Sequence, residues 1–368
     1  MTDKAAGRRI RRSSAIALIA LATVVLFVLT EGAASIILSG YQLTVRRTTL
    51  TEVVHTEYDT LLGWVNLPSF RVDDMYGPGV FLQTNSQRFR NDHDFTLDVA
   101  PGRLRIICSG DSFTLGFSVD NDHTWCESLA RKNPAWESIN MGQGGYGVDQ
   151  AYLWYMRDGV AFDHQVHILA VITPDFQRMM HDTFLGFGRP VLKVVDGELL
   201  TTNVPVAKRQ SAVRRYDALQ RAAGRLQIVA LGAIVLRRAG WQPRPATPVL
   251  SESDVRDVTI KMIENLQRIN ESKGSALVVA YLPGSTDGNN RNSDPWRGML
   301  YEESRRSGLV FIDLVDAFRA LPLDVGQNLF HLPYRASHYS VAGNQWVADR
   351  LYDRLRELQV LPGEPLVR

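Results

Sequence analysis

Five short apolar runs between residues 104 and 314 constrain most strongly what this chain can fold into. They read "LRIICSG", "WESINMG", "VHILAVIT", "SALVVAYLP" and "GLVFIDL". Each is rich in Val, Ile and Leu, and each is bounded by turn formers. Continuous rather than alternating apolar character suits strands buried on both faces, hence a parallel sheet covered by helices on each side. The intervening segments carry the helical period. Val255, Val258, Met262, Leu266 and Ile269 recur at three- and four-residue spacing before the fourth run, with Ser253 as the expected cap and Gly274 as the stop. Val347, Leu351 and Leu355 repeat four apart near the C-terminus. The expected fold class is α/β.

The N-terminus has a different character. Lys4, Arg8, Arg9, Arg11 and Arg12 oppose only Asp3, and no charge occurs from Ala15 to Leu29. Apolar character resumes after Glu31 and runs to Leu38, giving about the ~20 residues needed to cross a bilayer. We expect a basic cytoplasmic tail over residues 1–12 and a transmembrane anchor over 13–38, oriented by its arginines. A cleaved signal peptide, with Gly32-Ala33-Ala34 as its small-residue site, is the rival reading. Both readings export the remainder. The expectation is a single-pass protein of the inner (cytoplasmic) membrane with its body on the periplasmic or extracellular side.

The formal net charge of +2 is concentrated in that tail. A near-neutral body lacks the basic face a nucleic-acid binder requires. The chain has no phosphate-binding loop, no GxGxxG after the first strand and no metal-ligand spacing, so neither cofactor nor metal is expected. The two cysteines, Cys108 and Cys126, leave two readings open: a disulfide permitted by export, or a pair of buried small hydrophobes.

Residues 39–100 read as irregular or β-rich, and residues 101–360 as the main domain. A helical insertion is expected over about 180–250. Its apolar stretch, Ile228 to Leu236, is too short to span a membrane. Lys208, Arg209, Arg214, Arg215, Arg221 and Arg225 form either a solvated helical face or a contact for anionic headgroups.

In an α/β sheet, ligands bind beyond the carboxyl ends of the strands. Ser112 stands there, in "SGDSFTLG" directly after the first run. A serine needs a base to take its proton. Of eight histidines, His338 in "ASHYSVAGNQW" is best placed, because it directly precedes the last helix; His331 is its competitor by spacing. His55, His93, His123, His164, His167 and His181 read as surface or structural histidines.

"GDSFTLG", then "NMGQGGYG", then "HYSVAG" together resemble the GDSL or SGNH hydrolases. The resemblance covers roughly residues 104–358 apart from the insertion. "LGWVNLPSF" and "TNSQRFRND" also resemble segments that precede this domain in exported, membrane-anchored members. It implies a flavodoxin-like, three-layer α/β/α fold and a serine esterase or acyl-group enzyme. It implies Ser112 as nucleophile and its own N–H as an oxyanion donor. Gly145 is implied as the second donor, with Gly142 as the alternative alignment. Asp111 reads as a structural hydrogen-bonding residue.

Two positions depart from the family pattern. Pro174 stands where an asparagine donor is expected before Asp175, and proline has no N–H. Thr173 is the nearby hydroxyl. The positions two and three before the histidine, where the triad acid usually lies, hold Ala336 and Arg335. A Ser-His dyad, or an acid from another loop such as Asp313 or Asp324, follows. The leading expectation is an exported, membrane-anchored esterase acting on an ester of an envelope glycan or lipid. The alternatives are O-acyl (acetyl) transfer to polysaccharide, and a degenerate, non-catalytic protein that binds glycan or a partner.

Overall fold

The computed structural model describes residues 2–44, 52–184, 186–208, 248–331 and 338–361, together with residues 226, 228, 231, 232 and 235. The chain divides into two compact units, Met1–Arg47 with Ser211–Pro245, and Thr48–Gln210 with Ala246–Arg368. The first unit contains helix α1, Thr2–Thr44, which continues beyond the expected end of the anchor at residue 38. Within it, Ala17–Ile37 has a mean hydropathy of 2.2 and spans 21 residues. At the α-helical rise this is about 30 Å, the thickness of a bilayer's hydrocarbon core. Length and composition therefore fit a membrane span or a signal sequence.

The second unit is built on a five-stranded parallel sheet. Its strands are β1 (Leu104–Gly110), β2 (Trp136–Gly142), β3 (Val166–Val171), β4 (Ala276–Tyr281) and β5 (Val310–Asp313). Their order is β5-β4-β3-β1-β2, which is the flavodoxin-like arrangement. All five coincide with the apolar runs. Successive residues feed opposite layers. Ile107, Ile139, Leu169 and Val279 pack in one apolar cluster, while Ile106, Cys108, Ile168 and Val278 pack in the other. This two-sided demand explains why the runs do not alternate with polar residues.

Helices complete the three layers. The first cluster takes in residues of α4 (Val148–Arg157), α6 (Glu252–Ser272) and α7 (Asp294–Ser307). The second takes in α3 (Trp125–Ala130) and α8 (Val341–Glu357). The cap of α6 is Ser251 rather than Ser253. Its Oγ accepts the Asp254 N–H at 3.2 Å while Asp254 reaches back to the Ser251 N–H at 2.8 Å, a reciprocal box that Ser253 cannot form. Cys108 of β1 and Cys126 of α3 are joined by a disulfide, both ends fully buried.

The segment before the sheet contains a hairpin of Thr56–Asp59 with Gly63–Asn66 and a shorter pair, Arg71–Val72 with Leu82–Gln83. The insertion begins as β structure, not helix. Thr183–Phe184 pairs with Phe187–Gly188, and Val191–Val195 with Glu198–Thr202. The second hairpin turns at Asp196 and Gly197, both at positive φ (51° and 80°), the Asp-Gly chemistry that favours a two-residue turn. Lys208 lies with its ammonium 5.5 Å from the Tyr58 ring centroid. Arg209, Arg214, Arg215, Arg221 and Arg225 lie outside the described residues. So does most of Ile228–Leu236, of which residues 228, 231, 232 and 235 are helical.

Candidate active site

The sheet reverses its winding at β1, which has β2 on one side and β3 on the other. The crevice beyond those carboxyl ends is where such sheets bind ligands. β1 ends at Gly110, paired with Gly142 of β2, and runs directly into α2, Ser112–Leu115. Asp111 caps this short helix by accepting the Phe113 N–H at 2.8 Å. Gly142 is required by close approach, because a Cβ there would lie 1.9 Å from the Leu115 nitrogen.

His338 arrives from the opposite end of the sequence. The Ser340 hydroxyl caps α8 by accepting the Gly343 N–H at 3.1 Å, and the Tyr339 hydroxyl donates to the Pro283 carbonyl, just beyond β4, at 2.6 Å. These contacts hold the imidazole over α2, and His338 Nε2 lies 2.7 Å from Ser112 Oγ. Asp111 Oδ2 is the other neighbour of that hydroxyl, at 3.3 Å. Both side chains are buried. The competitor His331 is joined to His338 through its backbone N–H instead, at 2.9 Å. His55, His164 and His167 are fully or almost fully buried, with hydrogen bonds to Asn66, Asn270 and Ser109, respectively.

The Gly142 N–H donates to Asn140 Oδ1 at 2.9 Å and is thereby committed. Among the described residues, neither the Ser112 nor the Gly145 N–H donates to a protein acceptor. Gly145 lies at φ +77°, in the left-handed region, and a Cβ there would sit 2.5 Å from the Phe184 ring. The neighbouring Gly144 carbonyl accepts from Trp64 Nε1 at 2.9 Å.

Pro174 falls in the first turn of α5, Thr173–Met179, where a missing N–H costs no helical hydrogen bond. The Thr173 hydroxyl is 2.9 Å from the Tyr281 hydroxyl, and Asp175 Oδ2 accepts the Ile172 N–H at 2.9 Å. Burial first, and then the nearby Asp111 carboxylate, push the Asp175 carboxyl well above the usual carboxylate range, against the pull of Arg178. Arg178 Nη1 donates to Asp111 Oδ2 (3.1 Å), Asp175 Oδ1 (2.5 Å) and the Tyr146 carbonyl (2.8 Å). The candidate acids elsewhere are Asp313, which accepts from Arg297 Nε at 2.6 Å and the Val315 N–H at 2.9 Å, and Asp324, which is exposed. Arg335 and Ala336 lie outside the described residues.

Arg90, which the sequence reading did not single out, is fully enclosed beside the Ser112 turn. Nη1 donates to the Leu115 and Gly116 carbonyls at 2.5 and 2.6 Å, and Nη2 to the Val119 carbonyl at 2.5 Å. Nε donates to Asn121 Oδ1 at 3.1 Å. A guanidinium is the one side chain whose fixed fork can hold that many carbonyls at once.

No protein-family model matches the sequence, and no curated protein does. Among solved structures, a member of the lipolytic protein G-D-S-L family from Veillonella parvula is 14% identical with a TM-score of 0.40, covering 68% of this chain and 97% of its own. A lipase/acylhydrolase from Enterococcus faecalis is 11% identical with a TM-score of 0.41, covering 71% and 100%. An acetyl xylan esterase is 14% identical with a TM-score of 0.39, covering 68% and 98%.

Proposed function

We propose that this chain is an exported, membrane-anchored serine esterase or acyl hydrolase. The observation that carries the reading is the 2.7 Å contact between Ser112 Oγ and His338 Nε2, made across the chain at the carboxyl end of β1. That distance is a nucleophile–base hydrogen bond. Ser112 Oγ attacks the ester carbonyl carbon while its proton passes to His338 Nε2. The Ser112 and Gly145 amides donate to the carbonyl oxygen as it becomes an oxyanion. The intermediate collapses, the C–O bond to the alcohol breaks, and His338 returns the proton to the leaving oxygen. Water then attacks the acyl-serine, gives its proton to His338, and releases the carboxylic acid as Ser112 is reprotonated.

The apolar stretch Ala17–Ile37 of α1, preceded by arginines, supports a cytoplasmic N-terminus at the inner membrane with the catalytic unit on the periplasmic or extracellular side. The Cys108–Cys126 disulfide suits that oxidising compartment. An ester on an envelope glycan or lipid is the substrate class within reach of such an anchor. A fluorophosphonate probe tests the chemistry. Wild-type protein is expected to label covalently, and Ser112→Ala and His338→Ala are expected not to. Folded wild-type protein that never labels would refute catalysis and favour a binding role. With an acetylated glycan as donor, free acetate marks hydrolysis, and acetyl carried to a second glycan marks transfer.

A further inference from the structure

His338 packs against two aromatic rings. Phe117 lies with its centroid 4.4 Å from the imidazole and the planes 30° apart. Phe113 lies with its centroid 4.8 Å from the imidazole and the planes 36° apart. Each ring is itself backed. Tyr76 packs on Phe117 at 4.8 Å, and Tyr339 meets Phe113 edge-on at 4.8 Å. The imidazole is thus the middle member of a chain of five contacting rings, and its two ring neighbours come from the stretch that carries Ser112.

Phe117 is held where it is by backbone constraints. The Phe117 N–H donates to the Ser112 carbonyl at 3.0 Å. Arg90 grips the carbonyls of Gly116 and Val119 on either side of Phe117. Ser118, between Phe117 and Val119, is a non-glycine residue at φ 80°. A residue held in that region points to a surrounding structure that fixes it.

A phenyl face carries partial negative charge, so it attracts a cation far more than a neutral ring. The imidazole of His338 is neutral when it accepts the Ser112 proton and cationic once it has done so. The face contacts therefore strengthen as the transition state forms, which is the condition for accelerating a step rather than merely binding its ground state. We propose that Phe117 is a positioning residue which, stacked on the imidazole and with Phe113 as its second ring neighbour, fixes the imidazole plane and stabilises the imidazolium of His338 through its ring face. This rests on the Ser112–His338 reading. It assigns to a ring face part of the stabilisation of the imidazolium charge.

The alternative is that Phe117 only fills space, and fluorination separates the two. Monofluoro-, trifluoro- and pentafluorophenylalanine at position 117 keep the ring's shape while draining its face of negative charge. In the full-length protein, the rate constant for fluorophosphonate labelling is expected to fall stepwise along the series, by about tenfold in all. The melting temperature is expected to stay near that of wild type. Phe117→Leu should be slow and Phe117→Tyr close to wild type, because only the latter restores a ring face. Wild-type protein that labels at Ser112 while the fluorinated series stays flat would overturn the inference and leave the catalytic reading intact. Wild-type protein that does not label would overturn both.

Discussion

Replacing Arg90 with alanine is expected to damage the Ser112 turn more than any surface change could. Three carbonyls, those of Leu115, Gly116 and Val119, accept from its guanidinium at 2.5–2.6 Å in a fully enclosed site. Hydrogen bonds to a charged donor contribute roughly 1.5–3 kcal/mol each, so the gross interaction is about 5–9 kcal/mol. Desolvation opposes this, and burial does pull the Arg90 pKa below its ordinary value. Removing the guanidinium leaves those buried carbonyls without a donor, at roughly 1–3 kcal/mol each, so a net loss of several kcal/mol is expected. Arg90→Lys should recover only part of the loss, since an ammonium is a point charge and cannot span all three acceptors. Urea unfolding of the full-length protein in detergent measures the stability, and fluorophosphonate labelling reads the turn's geometry. An Arg90→Ala protein within about 1 kcal/mol of wild type, labelled at an unchanged rate, would refute the reasoning.

Three further outcomes are expected. Burial lowers the His55 pKa from 6.5 to about 4, so the unfolded chain takes up a proton first as the pH falls. The stability His55 contributes is complete above pH 6.5 and is lost between pH 6.5 and 4, by about 3 kcal/mol; unfolding free energies for wild type and His55→Asn across that window should diverge accordingly. Gly145→Ala places a Cβ 2.5 Å from the Phe184 ring on a residue at φ +77°, and the displaced amide should slow fluorophosphonate labelling by roughly a hundredfold with the protein still folded. Reducing the Cys108–Cys126 bond, which joins residues 18 apart, should lower the unfolding free energy by about 3 kcal/mol, seen as a lower urea midpoint in dithiothreitol.

The sheet was legible because burial on both faces writes itself into continuous apolar runs. The proximity of Ser112 and His338 was legible from their places at the ends of the first strand and before the last helix. The supports of the site were not. Arg90 and Trp64 act on backbone carbonyls, Leu115, Gly116 and Val119 in one case and Gly144 in the other, and a carbonyl acceptor leaves no trace in residue identity. Arg178 reaches across 67 positions to Asp111, a pairing that spacing alone does not suggest. The hairpin at Val191–Thr202 did carry a signal, Asp196-Gly197 between β-branched runs, which the basic stretch after it outweighed.

Trp64 and Arg90 also bear on where this protein can be cut. Both precede the first strand of the sheet, yet one ties down the loop of Gly145 and the other the turn of Ser112. The Arg90 N–H donates to the Asn140 carbonyl at 3.0 Å, and Asn91 Oδ1 accepts the Asn140 N–H at 3.0 Å, so this segment also covers the free edge of β2. A fragment that began at residue 101 would keep every strand of the parallel sheet, with Ser112 and His338. It would also expose an apolar sheet edge to solvent and to other copies of itself. For expression without the apolar stretch Ala17–Ile37, the sensible start point lies after that stretch and before His55, and not at the first residue of the sheet.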